Sequence, residues 1–169
     1  MKCLICVDMQ NDFITGSLGS DAACAIVPNV VEKVKNYDGK VIFTRDTHSE
    51  DYLNTQEGEK LPVPHCIKNT EGWQICKELS PYVETVIDKE TFGSVKLPHT
   101  LMSYNEPIEE IVLCGLCTDI CVISNAMILK AVFPEARIIV DANCSAGVTA
   151  ESHNTALNAM RAVQIEIAK

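Results

Sequence analysis

Three cysteines lie within eight residues of the chain, at Cys114, Cys117 and Cys121 in the segment CGLCTDIC. Thiols at such spacing can ligate a metal, form a redox pair, pack in a core, or supply one nucleophile. Cys114 belongs to an apolar strand-like run, where a free thiol behaves as a small hydrophobic side chain. It is therefore predicted to be a core residue, although a redox couple between Cys114 and Cys117 stays open.

Cys121 is the candidate nucleophile of this group. The turn from strand to helix is predicted at residues 115–119, which places Cys121 in the first turn of the next helix. Unpaired N–H groups and the positive end of the helix dipole are expected to lower the pKa of its thiol there. The same N–H groups, including that of Cys117, can bind the oxyanion formed when a thiolate attacks a carbonyl carbon.

Such a thiol needs a base and a neighbouring cation, and charged residues close the predicted strands. Asp8 follows the first strand, Asp46 the second, and Asp88 and Lys89 the third. A single aspartate there is commonly a turn or helix cap. Their joint occurrence is informative, because the carboxyl ends of parallel strands meet at one edge of the sheet. Asp8 and Lys89, expected on strands beside the fourth, are the predicted partners of Cys121.

Two of the four histidines, His99 and His153, are expected to have no part in this chemistry. His99 falls in a predicted loop and His153 on the last predicted helix. Surface or capping roles are expected for both.

A second group of residues suits a metal ion. Asp46 and His48 lie two residues apart at a strand end, and Glu57 and His65 follow along a polar loop. Two imidazoles and two carboxylates suit zinc, manganese or iron. Ordinary polar contacts within the loop are the alternative interpretation.

These residues must be positioned by an alternation of strands and helices. Helical patterns occupy about 22–36, 119–132 and 150–161, and short apolar runs that predict strands occupy 3–9, 40–46, 83–88, 109–115, 136–142 and 163–167. Strands without polar alternation, each followed by a helix, indicate a parallel sheet covered on both faces. The prediction is an α/β protein with a three-layer Rossmann-like fold, a mostly parallel sheet of five or six strands, and one domain over residues 1–169.

Composition narrows the partners to small molecules. A net charge of −9 repels nucleic-acid phosphates and anionic membrane surfaces. No apolar run approaches the roughly 20 residues that cross a bilayer. Nine cysteines, an odd number, without an export signal indicate a reducing cytoplasm rather than a disulfide framework.

Three segments, LICVDMQNDF, DKETFGS and GLCTDICV, resemble the isochorismatase-like cysteine hydrolases, and among them the nicotinamidase branch. The resemblance implies a catalytic triad of Asp8, Lys89 and Cys121. It also implies a cis peptide bond between Leu116 and Cys117, with the backbone N–H groups of Cys117 and Cys121 forming an oxyanion hole.

The same resemblance implies a divalent metal beside the triad, zinc first, with manganese or iron as alternatives. Its ligands fall on Asp46, His48, Glu57 and His65, where Glu57 stands in place of the histidine of many members. Phe13 matches an aromatic residue that packs on the substrate ring. Relatives are commonly dimers or tetramers, so a homo-oligomer is expected.

Two positions depart from the branch pattern. Pro62 occupies a position that usually carries Trp or Phe, and Val95 stands where an aromatic residue commonly follows the lysine motif. Both changes affect the expected wall of the substrate pocket and leave the triad unchanged.

The function implied by this resemblance is metal-assisted hydrolysis of a linear amide. A small amide, nicotinamide, would be converted to nicotinate and ammonia through a thioester on Cys121. The nearest alternative is a related hydrolase of a carbamoyl or ureido compound, of the N-carbamoylsarcosine or ureidoacrylate type. A non-catalytic thiol redox sensor, pairing Cys121 with Cys117 or Cys114, is the alternative from a different class.

Overall fold

The six strands of the molecule form one parallel sheet. A computed structural model describes all residues 1–169. The strands are β1 (Lys2–Val7), β2 (Lys40–Asp46), β3 (Val86–Lys89), β4 (Glu110–Leu116), β5 (Arg137–Ala146) and β6 (Glu166–Ala168). Every neighbouring pair is parallel, in the order β3-β2-β1-β4-β5-β6. The predicted α/β fold is confirmed, and the sheet is wholly parallel.

The helices cover both faces of this sheet. They are α1 (Asn11–Ile14), α2 (Asp21–Asn36), α3 (Gln56–Lys60), α4 (Lys96–Ser103), α5 (Ile123–Val132) and α6 (Ala150–Ala162). The buried side chains of α2 pack on one face, and those of α4, α5 and α6 pack on the other. None of these helices has the length and apolar character of a membrane span.

The order of the strands creates one crevice at the sheet edge. The chain builds outward from β1 through β2 to β3, then returns to place β4 on the other side of β1. The connections after β1 and β4 therefore leave toward opposite faces of the sheet. Ligands of open α/β sheets bind at such a switch point, outside the carboxyl ends of the strands.

The thiols of Cys3, Cys6 and Cys114 fill part of the core, which confirms the prediction for Cys114. All three are fully buried, and the sulfurs of Cys6 and Cys114 lie 3.8 Å apart on neighbouring strands. Burial raises the pKa of Cys3 to about 11. No cysteine of the chain forms a disulfide. Cys114 is thus directed at Cys6 inside the core.

Several element boundaries differ from the prediction. The helix expected over 119–132 starts instead with a π-helical turn, Thr118–Val122, and only then continues as α5. Strand β5 extends four residues beyond the predicted end at 142, after a shift in its pairing with β4 between Leu113 and Gly115. His99 lies on α4 rather than in a loop.

Gly115 is needed where β4 passes β1, and its replacement by alanine should destabilise the fold. Its φ of +115° is rarely adopted by other residues, and a Cβ there would lie 2.1 Å from the carbonyl oxygen of Val7. We expect Gly115→Ala to lower the free energy of unfolding by about 3 kcal/mol or more, measured by urea denaturation.

Gly93→Ala is the matched control for this change. An added Cβ at Gly93 comes within 3 Å of only the terminal methyl group of Ile128, which can move. We expect a loss below about 1 kcal/mol for this variant. If the free energy of unfolding fell equally in Gly115→Ala and Gly93→Ala, the close approach of β4 to β1 would not be the reason that Gly115 is needed.

Candidate active site

Asp8, Lys89 and Cys121 meet at the carboxyl end of the sheet. Asp8 follows β1, Lys89 ends β3, and Cys121 lies in the π-helical turn after β4. The Nζ atom of Lys89 lies 2.7 Å from Oδ2 of Asp8 and 3.4 Å from Sγ of Cys121. All three residues are at most 4% exposed. The structure thus brings together an acid, a cation and a thiol away from bulk water.

The carboxylate of Asp8 is held on one side only. Its Oδ1 accepts a hydrogen bond of 2.7 Å from the hydroxyl of Thr44, whereas its buried Oδ2 accepts none and has only the ion pair with Lys89. The backbone of Asp8 is in the left-handed region, with φ of 48°, which aspartate tolerates better than most residues. Oδ2 is therefore the oxygen that is available to take up a proton.

Burial dominates the protonation of the triad. It raises the pKa of Asp8, and together with the Asp8 charge it raises the pKa of the Cys121 thiol well above its usual value. The expected lowering of this thiol pKa is therefore wrong, because complete burial outweighs the lowering effect of the Lys89 charge. For Lys89, burial opposes the charge, but Asp8, Cys121 and Asp46 outweigh it and hold the pKa of Lys89 high.

Lys89 reaches this site from the edge of the sheet. Its strand, β3, is separated from β4 by both β2 and β1, so the expectation that it lies beside β4 is wrong. The long side chain places Nζ between two carboxylates, 2.7 Å from Asp8 and 3.0 Å from Asp46. Lys89 is consequently shared by the triad and by the second cluster of polar side chains.

The turn before Cys121 carries an N–H group with no partner. The peptide bond between Leu116 and Cys117 is cis, and the Cys117 N–H donates no hydrogen bond within the protein. The Cys117 carbonyl accepts from the N–H groups of Ile120 and Val122, at 3.1 and 3.0 Å. An N–H that is fixed in this way and left free can bind an oxyanion.

Asp46, His48, Glu57 and His65 form a compact cluster next to Lys89. One ligand atom from each lies within 4.8 Å of all the others. Oδ2 of Asp46 is 2.9 Å from Nε2 of His48 and 3.6 Å from Nε2 of His65, and Oε1 of Glu57 is 3.6 and 3.7 Å from the same nitrogens. Ligand atoms around a zinc-sized ion lie about 3.0–3.5 Å apart, so the donor set fits a divalent metal.

The protonation of the cluster also suits ligation. Burial opposes the charge of Asp46, yet hydrogen bonds from His48 and His65 hold its pKa well below the usual range. Nδ1 of His65 lies 2.8 Å from the carbonyl oxygen of Val63, which only accepts, so Nδ1 carries the hydrogen. Burial opposes the charge of His65, but the hydrogen bond to Asp46 and the nearby carboxylates raise its pKa. When the ring is neutral, its Nε2 lone pair points into the cluster.

The chain is similar to known proteins along almost its whole length. Residues 2–169 match the isochorismatase domain. The chain belongs to the isochorismatase family. An isochorismatase family protein of Bacillus subtilis is 31% identical over 93% of this chain and 92% of its own length. A nicotinamidase/pyrazinamidase of Mycobacterium tuberculosis is 26% identical over 99% of this chain and 98% of its own length.

A solved structure extends the similarity to three dimensions. The pyrazinamidase of Pyrococcus horikoshii, in complex with zinc, superposes with a TM-score of 0.86 at 26% identity, covering 99% of this chain and 98% of that one. The resemblance inferred from the three sequence segments is thereby confirmed.

Two residues that support the cluster in this isochorismatase-family chain were missed from the sequence. The side chain of Gln10 is fully buried; its Oε1 accepts from the Asp46 N–H at 2.7 Å, and its Nε2 donates to the Asp46 carbonyl at 2.8 Å. The ring of Tyr52 lies 4.7 Å from that of His48 and 5.0 Å from that of His65. Gln10 gives a signal, a polar residue three positions after the buried strand β1, whereas Tyr52 gives none.

The residue expected to contact the substrate, Phe13, borders the cluster of candidate metal ligands. Phe13 is half-buried, and its ring centroid lies 5.5 Å from that of His65. Pro62 and Val95, which replace the aromatic residues of the branch pattern, are exposed, Val95 by 69%. Phe13 is thus placed to contact a ligand. Pro62 and Val95, in contrast, are not buried in a wall of the substrate pocket.

Proposed function

We propose that the protein deamidates nicotinamide to nicotinate and ammonia through a thioester on Cys121. The observation that carries this proposal is the junction of two sites, in which one buried ammonium group contacts both the acid of the triad and a carboxylate of the metal cluster. Relatives named as nicotinamidases support it, and the hydrolase class expected from the sequence is confirmed by them.

The proposed reaction begins with one proton transfer. Oδ2 of Asp8, which has no hydrogen-bond partner, takes the thiol proton of Cys121 while Lys89 stabilises the resulting pair of charges. The thiolate attacks the amide carbonyl carbon, and the N–H groups of Cys117 and Cys121 bind the oxygen that becomes negative. Asp8 then gives its proton to the leaving ammonia, and the same carboxylate activates the water that hydrolyses the thioester.

The second cluster orients the substrate in this scheme. Asp46, His48, Glu57 and His65 would hold the divalent ion, which when bound supplies a Lewis-acidic position for the pyridine nitrogen. Phe13 would pack on the ring. Because Lys89 contacts both Asp46 of this cluster and Asp8 of the triad, a ring held at the cluster would place its amide near the thiol.

His48→Ala should remove the metal and leave the thiol reactive. We expect metal content, measured by atomic emission after metal loading and gel filtration, to fall from one equivalent to near zero. The rate of Cys121 alkylation should change little, because neither Asp8 nor Lys89 contacts His48. A His48→Ala protein that keeps a full equivalent of metal would contradict the assignment of this cluster.

The test of the function is ammonia release by metal-loaded protein from nicotinamide, N-carbamoylsarcosine and ureidoacrylate in parallel. Fast release from nicotinamide alone is the expected result. Release only from the carbamoyl or ureido compounds would transfer the proposal to that alternative. If no ammonia forms and Cys121 instead oxidises reversibly with Cys117 or Cys114, the redox-sensor alternative holds.

We further propose that the chain is one domain that forms a homodimer or homotetramer in the cytoplasm. Exposed apolar side chains just before α4 and in its last turn support self-association, since Phe92 is 45% exposed, Val95 69% and Met102 47%. Size-exclusion chromatography with light scattering should give twice or four times the chain mass, and a monomer would contradict the proposal.

A further inference from the structure

His153 contacts the catalytic turn, although the sequence suggested a surface or capping role. It lies in the first turn of α6, and its Nδ1 is 2.8 Å from Oγ1 of Thr118. Thr118 is completely buried and directly follows Cys117, whose N–H is the free donor of the turn. The expectation for His153 is therefore wrong, because the connection after β5 brings α6 against the connection after β4.

A second contact joins the same two segments. The carboxylate of Asp119 accepts hydrogen bonds from the Val148 N–H, at 3.1 and 3.3 Å. Gly147 lets the segments approach, because a Cβ there would be 2.9 Å from Cβ of His153 and 3.0 Å from Oδ1 of Asp119. Thr118 and Asp119, the two residues after Cys117, are thus each hydrogen-bonded to the segment 148–153, which contains the beginning of α6.

We propose that His153 is a positioning residue for the oxyanion hole. The Cys117 N–H has no partner of its own in the protein, so its direction depends on how the adjoining peptide groups are held. The Cys117 carbonyl is held by the N–H groups of Ile120 and Val122, and Thr118 is held by His153. Removing the imidazole frees Thr118 and lets the Cys117 N–H turn away from the attacked carbonyl.

The protonation of His153 suits this role. Burial lowers its pKa, so the ring is neutral at neutral pH. The Asp119 charge opposes this lowering, and the neutral ring still gives the Thr118 hydroxyl a hydrogen-bond partner. The inference rests on the proposed attack of Cys121 on a carbonyl carbon, and not on nicotinamide being the substrate.

Two reactions of Cys121 separate positioning of the oxyanion hole from activation of the thiol. With p-nitrophenyl acetate the thiolate adds to the ester carbonyl, p-nitrophenolate leaves, and an acetyl thioester remains. With iodoacetamide the thiolate displaces iodide, and no oxyanion forms at the attacked carbon. We expect His153→Leu to slow acylation by about 10- to 100-fold, less than the full loss of an oxyanion donor, with alkylation unchanged.

Two further variants complete this test. His153→Asn, whose amide can reach the position of Nδ1, should recover most of the acylation rate. His99→Leu, a matched change at an exposed histidine on α4, should leave both reactions at the wild-type rate. Equal acylation-to-alkylation ratios in His153→Leu and the wild type would overturn the inference.

Thr118→Val removes the same hydrogen bond from its other end and covers the case in which His153→Leu folds poorly. The double variant should acylate no more slowly than the slower single variant, because one contact is lost only once. Fully additive losses would overturn the inference. A wild-type protein that undergoes both reactions but releases no ammonia from nicotinamide refutes the proposed substrate alone, and the variants still decide the role of His153.

Discussion

Cys121→Ala should abolish ammonia release, with a fall of at least about 10⁴-fold in kcat, the scale seen when a catalytic nucleophile is removed. The buried thiol is the atom next to both the cation and the unpartnered carboxylate oxygen, and no other sulfur contacts Lys89. Metal content should stay at one equivalent, because Cys121 is not part of the metal cluster. Ammonia release and metal analysis on one preparation check both statements.

Cys24→Ala is the control for this experiment. Cys24 is an exposed cysteine on α2, away from the triad. The control should keep full turnover, and both variants should unfold close to the wild-type temperature, because removal of a single sulfur leaves a small cavity. If Cys121→Ala retained more than about one hundredth of the activity, the covalent scheme would be wrong.

Lys89→Met should remove activity and also destabilise the fold, which makes it the second large effect. Methionine keeps most of the side-chain volume but leaves Asp8 and Asp46 facing each other without a cation. Removal of one partner from a buried ion pair costs about 3–5 kcal/mol. Urea denaturation of the metal-free proteins should show a loss of this size at neutral pH.

The pH dependence of this loss has a definite sign. Burial already raises the pKa of Asp8, and loss of the Lys89 charge must raise it further. A carboxyl group with a raised pKa in the folded state stabilises that state below its unfolded pKa, and this contribution disappears as the pH rises through the folded pKa. The deficit of Lys89→Met should therefore shrink at pH 5 and grow toward pH 8. The exposed Lys35→Met is the control, with no expected loss.

A constant deficit across this pH range would mean that lost packing, rather than uncompensated carboxylates, explains the instability. A deficit that grows as the pH falls would contradict the assigned direction of the Asp8 pKa.

The fold and the triad could be predicted because their signals are local. Strand β2 has the predicted bounds, Lys40–Asp46, since a buried parallel strand is a continuous apolar run. Asp8 and Lys89 follow such runs directly, so they had to reach the same edge of the sheet. The order of strands is not local, and β3 was for that reason placed beside β4 rather than at the edge.

The rest of the site depends on contacts between segments that are distant in the chain. His153 meets Thr118 across 35 residues, and Gln10 meets Asp46 across 36. The hydrophobic periodicity of the sequence does not indicate either of these contacts. The pKa of Cys121 was misjudged for a related reason, because its complete burial results from the packing of several elements and not from its place in one turn.

The position of Lys89 between two carboxylates also has a consequence for electroneutrality. When all three are ionised, Asp8, Asp46 and Glu57 place three negative charges in this interior region, against the one positive charge of Lys89. Burial opposes two of these charges, because it raises the pKa of Asp8 and of Glu57. The three carboxylates and Lys89 together then carry an excess of two negative charges. A divalent cation balances them, whereas a monovalent ion would leave one uncompensated. The protein charges as well as the ligand types therefore favour a divalent ion over a monovalent one at this cluster.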